Sequence, residues 1–317
     1  MNRIKKIMMV LLILVMTAGC AAGGKQEEEN IAEELKIAVT VFPLYDWCRE
    51  LSAGAENVRL TQIVSRSSDL HSYQPTAKDI REIAESDIFI YVGGESDDWV
   101  EDILQQTEKE DRQVICLMDE LGTRILQEEE KEGMEKEDHE EEAENDEHVW
   151  LSLKNAQLSC EKIAEVLEGK DDTHASLYAE NLSSYLKKLE DLDEAYREAA
   201  ASSDKKVLLF ADRFPFLYLC RDYGLDYYAA FKGCSAETEA SFETIRFLAE
   251  KADECGLAVI FCLEEGNVKI AETVKENMKN KDAVIMKMDS MQSGMSEQDT
   301  YLSLMEANLE TLKQALK

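Results

Sequence analysis

The sequence predicts an α/β protein of two βα lobes, each with a mainly parallel sheet, joined by one long rigid helix. Two observations support this fold class. Short β-type runs alternate with helix-type patterns in two successive sets, as is typical of layers built on parallel sheets. Between the sets, residues 172–201 carry apolar side chains at helical spacing without a break.

The first lobe is predicted over residues 35–170. Its strands are expected at 35–42, 59–64, 88–92 and 114–117, and its helices at 45–53, 76–85 and 97–108. Thr76, followed three residues later by Asp79, resembles a capping box. The second helix should therefore begin at this point.

The second lobe is predicted over residues 204–317, after a connector helix over 171–203. Its strands are expected at 206–210, 227–230, 258–262 and 283–286, and its helices at 215–223, 242–255, 268–280 and 299–316. At 1.5 Å per residue, the connector would be about 45 Å long. A helix of that reach is stiff and should limit the lobes to a small rocking motion.

The N-terminal residues have the pattern of a secretory signal. Arg3, Lys5 and Lys6 precede an apolar run over 7–16, and small residues follow. The run is shorter than the roughly 20 residues that a transmembrane helix needs. We therefore expect a signal peptide over residues 1–19 and an extracytoplasmic protein.

Cys20 follows Ala18 and Gly19 directly and resembles the lipidated cysteine of a bacterial lipobox. Residues 20–34 then read as a flexible tether that cannot bury a core. The alternative is an ordinary signal peptide with an incidental cysteine. A lipid on Cys20 would hold the protein at the outer face of the cytoplasmic membrane, or in the periplasm.

The charge balance narrows the choice of partner. The chain has 67 acidic and 35 basic residues and a net charge of -32. A protein that binds nucleic acid needs a basic surface, so nucleic acid is not expected as a partner of this acidic chain. A cation is compatible with the charge.

Seven cysteines besides Cys20 give neither a disulfide framework nor a thiolate metal motif. Their number is odd, and no CxxC pair occurs. Most lie inside apolar runs, as Cys116 and Cys262 do, and are expected to be small core residues.

One segment, residues 128–147, interrupts the α/β pattern. It contains thirteen acidic residues and two lysines without apolar periodicity. Such dense charge predicts a solvated, protease-sensitive loop that overhangs His148. We call residues 128–147 the acidic segment. It could concentrate divalent cations near a site, or it could be a solubilising spacer.

Two motifs resemble those of the metal-binding lipoproteins that serve zinc and manganese ABC importers, the cluster A-I solute-binding proteins. Residues 69–76, DLHSYQPT, resemble that family's D-x-H-x-[YF]-x-P-[TS]. Residues 148–156, HVWLSLKNA, resemble its H-[VF]-W-x-[DS]-P-x-N-A, with Leu153 in place of proline. The resemblance covers residues 36–317 and implies a metal carrier of the zinc-uptake type.

The resemblance implies that His71 and His148 are metal ligands and that Asp289, near the last strand, is the fourth. Both histidines lie in predicted loops at strand ends, where imidazole nitrogens can converge on a cation. His139 in the acidic segment is a candidate for transient metal recruitment, and His174 is expected to be a surface residue.

The third ligand departs from the family pattern, because Ala211 occupies the expected position. Asp212, one residue later, is the favoured candidate. The sequence leaves open that Glu237, Glu239, Glu264 or water completes the shell instead.

Together these features predict a monomeric extracytoplasmic protein that binds a divalent transition metal and delivers it to an ABC permease and its ATPase. Zinc is the preferred ion, and manganese and iron remain alternatives. A surface adhesin or metal-buffering lipoprotein is the rival function. An enzyme is not expected, because the sequence has no H-E-x-x-H motif or nucleophile elbow.

Overall fold

Two four-stranded parallel sheets form the framework of the protein in a computed structural model that describes residues 34–68, 70–136, 144–235 and 239–317. The first sheet has the order β2-β1-β3-β4, with β1 Leu35–Val39, β2 Val58–Gln62, β3 Ile88–Tyr91 and β4 Gln113–Cys116. The second has the order β6-β5-β7-β8, with β5 Val207–Phe210, β6 Asp226–Ala229, β7 Val259–Leu263 and β8 Val284–Met288. The predicted strands and fold class are confirmed.

Helices pack against these sheets. They are α1 Phe42–Leu51, α2 Ala77–Glu85, α3 Trp99–Gln106, α4 Leu117–Leu121, α5 Leu153–Lys170, α6 Ala175–Ala201, α7 Leu217–Tyr223, α8 Phe242–Glu254, α9 Val268–Asn277 and α10 Tyr301–Ala315. The capping box of α2 is confirmed, since the Thr76 backbone nitrogen donates to Asp79 at 2.8 Å. Strand β1 ends earlier than predicted because Pro43 lies in the first turn of α1 and favours helix there.

Helix α5 was not predicted, although its sequence contains the signal for it. Its buried apolar residues recur every three or four positions, as in Ala156, Cys160, Ile163 and Leu167. The Ser152 side chain caps its first turn by accepting from the Asn155 backbone nitrogen. The helix thus begins within the His148 motif, at Leu153, and fixes the position of that motif.

The predicted connector is helix α6, which has 27 residues and is about 40 Å long. It contacts both lobes. The Asn181 amide donates to the Leu51 carbonyl at 2.9 Å in the first lobe. The Tyr196 hydroxyl donates to the Met305 carbonyl at 2.7 Å in the second.

The two lobes share a continuous hydrophobic core. The rings of Trp47 and Tyr301 meet edge to face with centroids 5.2 Å apart, a geometry that aromatic pairs prefer. The Tyr301 hydroxyl donates to the Trp150 carbonyl at 2.6 Å, and the Trp150 indole donates to the Ser290 carbonyl at 2.9 Å. Residues 34–317 accordingly form one compact unit, and the proposed domain boundaries within it remain predictions.

The prediction of a solvated loop is wrong at both described ends of the acidic segment. Asp146 and Glu147 are each 1% exposed, and Glu128 is half-buried. The Glu135 backbone nitrogen donates to the Ala230 carbonyl at 2.9 Å, which fastens this segment to the second lobe. Burial of these acids is possible because their carboxylates accept hydrogen bonds, which offset the loss of hydration.

Several predictions concern residues outside the described ranges. They are the signal peptide 1–19, the lipidated Cys20, the tether 20–34 except Glu34, the recruiting His139, the candidate ligand Glu237 and the proteolysis near residue 140. Among the helices of the described ranges, none combines the length and the apolar character required to cross a membrane.

Candidate metal centre

His71, His148 and Cys234 converge in the structure. One ligand atom from each lies within 4.8 Å of the other two. The two imidazole rings have centroids 5.5 Å apart. His148 is fully buried, whereas His71 and Cys234 are half-buried. We call these three residues the His–Cys cluster; within the described ranges no other group of three histidine, cysteine or acidic side chains meets this distance criterion.

The cluster forms where loops leave the carboxyl ends of parallel strands. His71 lies in the 3-10 turn Leu70–Ser72 after β2, and Cys234 lies in the loop after β6. His148 precedes the turn Val149–Leu151, which leads into α5. Carboxyl ends of parallel strands are the usual ligand-binding edge of α/β proteins, and here loops from both sheets supply the cluster.

Asp146 fixes the orientation of His148. Its carboxylate lies 2.8 Å from His148 Nδ1 and also accepts a hydrogen bond of 2.8 Å from the His148 backbone nitrogen. A proton on Nδ1 leaves the lone pair of Nε2 directed into the cluster. Burial alone would lower the pKa of His148, but the charge and hydrogen bond of Asp146, together with the charges of Glu147 and Glu128, outweigh it and raise that pKa above its usual value.

Glu147 and Ser96 orient His71 in the same way. His71 Nδ1 lies 3.1 Å from the Glu147 carboxylate and 2.9 Å from the Ser96 hydroxyl. Burial tends to raise the pKa of Glu147, but its hydrogen bonds and the neighbouring histidines keep that pKa below its usual value. Glu147 is therefore a charged acceptor, and His71 also presents Nε2 to the cluster.

Gln292 closes the gap between the two histidines. Its amide nitrogen lies 2.9 Å from His71 Nε2 and also contacts His148 Nε2. An amide group has two protons and can donate one to each imidazole lone pair. The same Nε2 lone pairs are the ones that a cation between the rings would use.

The loop that holds Cys234 is fixed by two close contacts. The Cys234 backbone nitrogen donates to the Glu128 carboxylate at 2.9 Å. A Cβ atom at Gly233 would lie 3.0 Å from the Phe214 carbonyl and 3.2 Å from the His148 ring, so only glycine fits here without displacing a neighbour. Burial, together with the acids around the site, raises the pKa of the Cys234 thiol well above its usual value.

The structure does not bring Asp212 or Asp289 into the His–Cys cluster. Asp212 accepts hydrogen bonds from the backbone nitrogens of Arg213 and Leu263, at 2.9 and 3.1 Å. Asp289 accepts from the backbone nitrogen of Met291 at 2.8 Å. Both aspartates thus stabilise backbone turns at the ends of strands. The Met291 turn, with a φ of 59°, presents Gln292 to the histidines.

The remaining sequence-based candidates also lie apart from the cluster. The Glu264 carboxylate accepts hydrogen bonds of 2.9 and 2.7 Å from the backbone and hydroxyl of Ser290, and Glu239 is exposed. Ala211 is buried in the core of the second lobe. His174 lies at the start of α6, where its ring is 2.8 Å from Asp171.

Sequence reasoning therefore missed Cys234, Gln292 and the two acids before His148. One signal was available for Cys234, since it follows Lys232 and Gly233 rather than lying in an apolar run as Cys116 does. The roles of Asp146 and Glu147 had no such signal, because they belong to a segment of uniform acidity.

Two imidazoles and one thiol form a donor set suited to a transition metal. Imidazole suits zinc, copper, iron and nickel, whereas manganese, calcium and magnesium favour oxygen ligands. A carboxylate behind each imidazole is the usual arrangement around a metal-binding histidine, because it fixes the ring and increases its basicity. The residues present therefore fit a metal cation as the bound species.

Comparison with known proteins agrees with this geometry. Residues 37–315 match the model of the ZnuA family, described as zinc-uptake complex component A, periplasmic. The zinc-binding lipoprotein AdcA of Streptococcus pneumoniae is 30% identical over 291 residues, which cover 89% of this chain and 56% of that protein. This chain thus spans about half the length of that relative. The high-affinity zinc uptake system protein ZnuA of Bacillus subtilis is 28% identical over 291 residues, 90% of this chain and 88% of that protein.

Solved structures share the fold. The metal-dependent lipoprotein YcdH from Bacillus subtilis superposes with a TM-score of 0.72 at 25% identity, covering 88% of this chain and 98% of that structure. The Zn(II)-bound ZnuA-like domain of Streptococcus pneumoniae AdcA gives 0.71 at 25% identity, covering 89% and 99%. Since the family model spans nearly all of the described residues, the chain belongs to the ZnuA family of zinc-uptake components.

Proposed function

We propose that this protein captures zinc outside the cytoplasm and delivers it to an ABC importer. The observation that carries the proposal is the convergence of His71 Nε2 and His148 Nε2 on the amide of Gln292. Two imidazoles held by buried carboxylates form a site prepared for a cation.

Entry of the ion would exchange hydrogen bonds for coordination bonds. The Gln292 amide occupies the space between the two Nε2 lone pairs, so a cation has to displace it. Because Asp146 and Glu147 already fix both rings, little side-chain entropy is lost when the ion binds. Asp289 and Asp212 contribute indirectly in this scheme, by shaping the loops around the site.

The names of the similar proteins support zinc as the ion, since AdcA is a zinc-binding lipoprotein and ZnuA a zinc uptake system protein. We propose the same ion for this chain. No bond is broken in this function, so the protein is a carrier and not an enzyme.

Location and partners follow from the same proposal. The signal-type sequence before Cys20, together with relatives named as lipoproteins, supports a lipid anchor on Cys20 at the outer face of the membrane. The partners would be a permease and its ATPase, and the carrier would act as a monomer. His139, close to the site in sequence, would assist metal recruitment.

The test is metal content. The full mature protein is dialysed against a mixture of zinc, manganese, iron, nickel, copper and calcium, and the bound metal is measured by mass spectrometry. We expect one equivalent of zinc in the wild type and none in a His71→Ala, His148→Ala double variant.

A His174→Ala variant is the matched control, because it removes an imidazole outside the His–Cys cluster and should retain zinc. Absence of metal from the wild type would overturn the proposal. Tight binding of zinc together with normal zinc uptake in a deletion strain would favour the alternative of a metal-buffering or adhesive lipoprotein.

A further inference from the structure

We infer that the Cys234 thiolate is the third protein ligand of the metal and makes this a His–His–Cys site selective for zinc over manganese. The inference rests on the proposed function and adds to it the ligand that the sequence could not identify.

The first argument is position. A ligand atom of Cys234 lies within 4.8 Å of ligand atoms of both His71 and His148. Bonds of about 2.3 Å to a thiolate and about 2.0 to 2.1 Å to imidazole nitrogens place tetrahedral donors 3 to 4 Å apart. The three side chains therefore need only a small contraction to share one ion.

The second argument is the absence of Asp212 and Asp289 from the cluster. Asp212 is held by the backbone nitrogens of Arg213 and Leu263, and Asp289 by that of Met291. Ala211 has no donor atom in its side chain. Within the described residues, Cys234 is thus the side chain placed to add a negative charge to the two imidazoles.

The third argument is that the Cys234 loop is built to stay close to His148. Glu128 accepts a hydrogen bond from the Cys234 backbone nitrogen at 2.9 Å. Gly233 lets the loop approach the His148 ring to a distance that a larger residue would prevent. These contacts hold the cysteine on the side of His148 that faces the cluster.

The chemistry then sets the selectivity. Metal binding releases the thiol proton to solvent, and the sulfur bonds to the cation as a thiolate. Thiolate is a soft ligand that suits zinc and copper, whereas manganese, calcium and magnesium prefer oxygen. Replacing a carboxylate at the third position by a thiolate therefore favours zinc over manganese.

The test combines a structural and a thermodynamic measurement on the full mature protein loaded with zinc. X-ray absorption at the zinc edge should show one sulfur at about 2.3 Å in the wild type. That scatterer should be absent from a Cys234→Ala variant and present in Cys255→Ala, which removes an exposed thiol. Cobalt-loaded wild type should show a thiolate-to-cobalt charge-transfer band, which Cys234→Ala should lack.

Zinc affinity should fall by about 100-fold or more in Cys234→Ala, since the loss of a residue that only orients a ligand already costs about 10- to 100-fold. A Cys234→Asp variant should lose the preference for zinc over manganese. Thermal melting of the metal-free variants shows whether each one folds. The X-ray absorption spectrum of the wild type tests the sulfur ligand even if a variant fails to fold.

Two outcomes distinguish failure of the Cys234 ligand assignment from failure of the proposed zinc-binding function. If the wild type binds one zinc that the double histidine variant loses, but shows no sulfur scatterer, the function stands and the ligand assignment is overturned. If the wild type binds no zinc at all, both fall.

Discussion

The Glu128 carboxylate accepts a hydrogen bond of 2.9 Å from the backbone nitrogen of Cys234, and this contact ties the start of the acidic segment to the candidate metal centre. The end of the same segment holds the two histidines, since Asp146 contacts His148 and Glu147 contacts His71. A segment that reads as a solvated spacer is therefore fastened at both ends to the site that it borders.

An Asp146→Asn variant should bind zinc about 10- to 100-fold more weakly than the wild type. The amide cannot accept from His148 Nδ1 with the strength of a carboxylate, so the tautomer that presents Nε2 is less favoured. Competition with a chromophoric chelator measures the effect. Asp111→Asn, which changes an exposed acid, is the control, and equal losses in both variants would contradict the orienting role.

A Glu128→Ala variant should weaken zinc binding by about tenfold through the loop of Cys234, because it removes the acceptor for the Cys234 backbone nitrogen. Glu128→Gln keeps an oxygen acceptor and should recover most of the affinity. The same competition assay compares the two. If glutamine were as harmful as alanine, the charge of Glu128 and not its hydrogen bond would be responsible.

Zinc affinity should decrease as the pH is lowered. Asp146 raises the pKa of His148 above its usual value of 6.5, so protons compete with the metal from a higher pH than usual. Above that raised pKa, affinity should still fall about tenfold for each unit by which the pH is lowered, because zinc displaces the proton of the Cys234 thiol, whose pKa is also raised. Below it, the fall should steepen to about a hundredfold per pH unit, because the His148 proton is displaced as well.

Titration between about pH 5.5 and about pH 8.5, corrected for protonation of the chelator, measures this curve. In Asp146→Asn the steeper fall should begin at lower pH, because the carboxylate that favours the imidazolium of His148 is gone. Identical curves for the two proteins would contradict the assignment of the raised pKa to Asp146.

A Gly233→Ala variant should lower the stability of the protein by about 1 to 3 kcal/mol. The added methyl would meet the Phe214 carbonyl at 3.0 Å and the His148 ring at 3.2 Å, and the backbone carbonyl cannot easily move away. Gly169→Ala, in helix α5 with no atom within 4 Å of the new methyl, should instead stabilise by about 0.5 to 1 kcal/mol. Thermal melting distinguishes the two, and a more stable Gly233→Ala would show that the loop is not closely packed.

Much of the fold could be predicted because its signals are local. Alternation of side chains along a strand and the 3.6-residue period of a helix are properties of neighbouring residues. The strands β1 to β8, the capping box of Thr76 and the long connector all follow from such patterns. Helix α5 was missed although Ala156, Cys160 and Ile163 carry a helical pattern, because the stretch was interpreted only through the histidine motif at its start.

The acidic segment was misjudged for a physical reason. Burial of Glu147 depends on contacts with Ser96 and His71, which lie far away in the sequence. The Asp146 carboxylate is compensated by His148, whose ring is held there by the folded structure. The acidic composition indicates that removing these carboxylates from water is costly. It does not show the hydrogen bonds that offset this cost, because their partners are brought close only by the tertiary structure.

The sequence by itself determined the fold class, the succession of the eight strands along the chain and the two histidine motifs. Tertiary structure alone decided which side chains join them. Cys234 and Gln292 follow β6 and β8 of the second sheet, while His71 follows β2 of the first. These side chains meet for two reasons. The carboxyl ends of parallel strands lie at one edge of each sheet, and the core that contains Trp47, Trp150 and Tyr301 holds those two edges together.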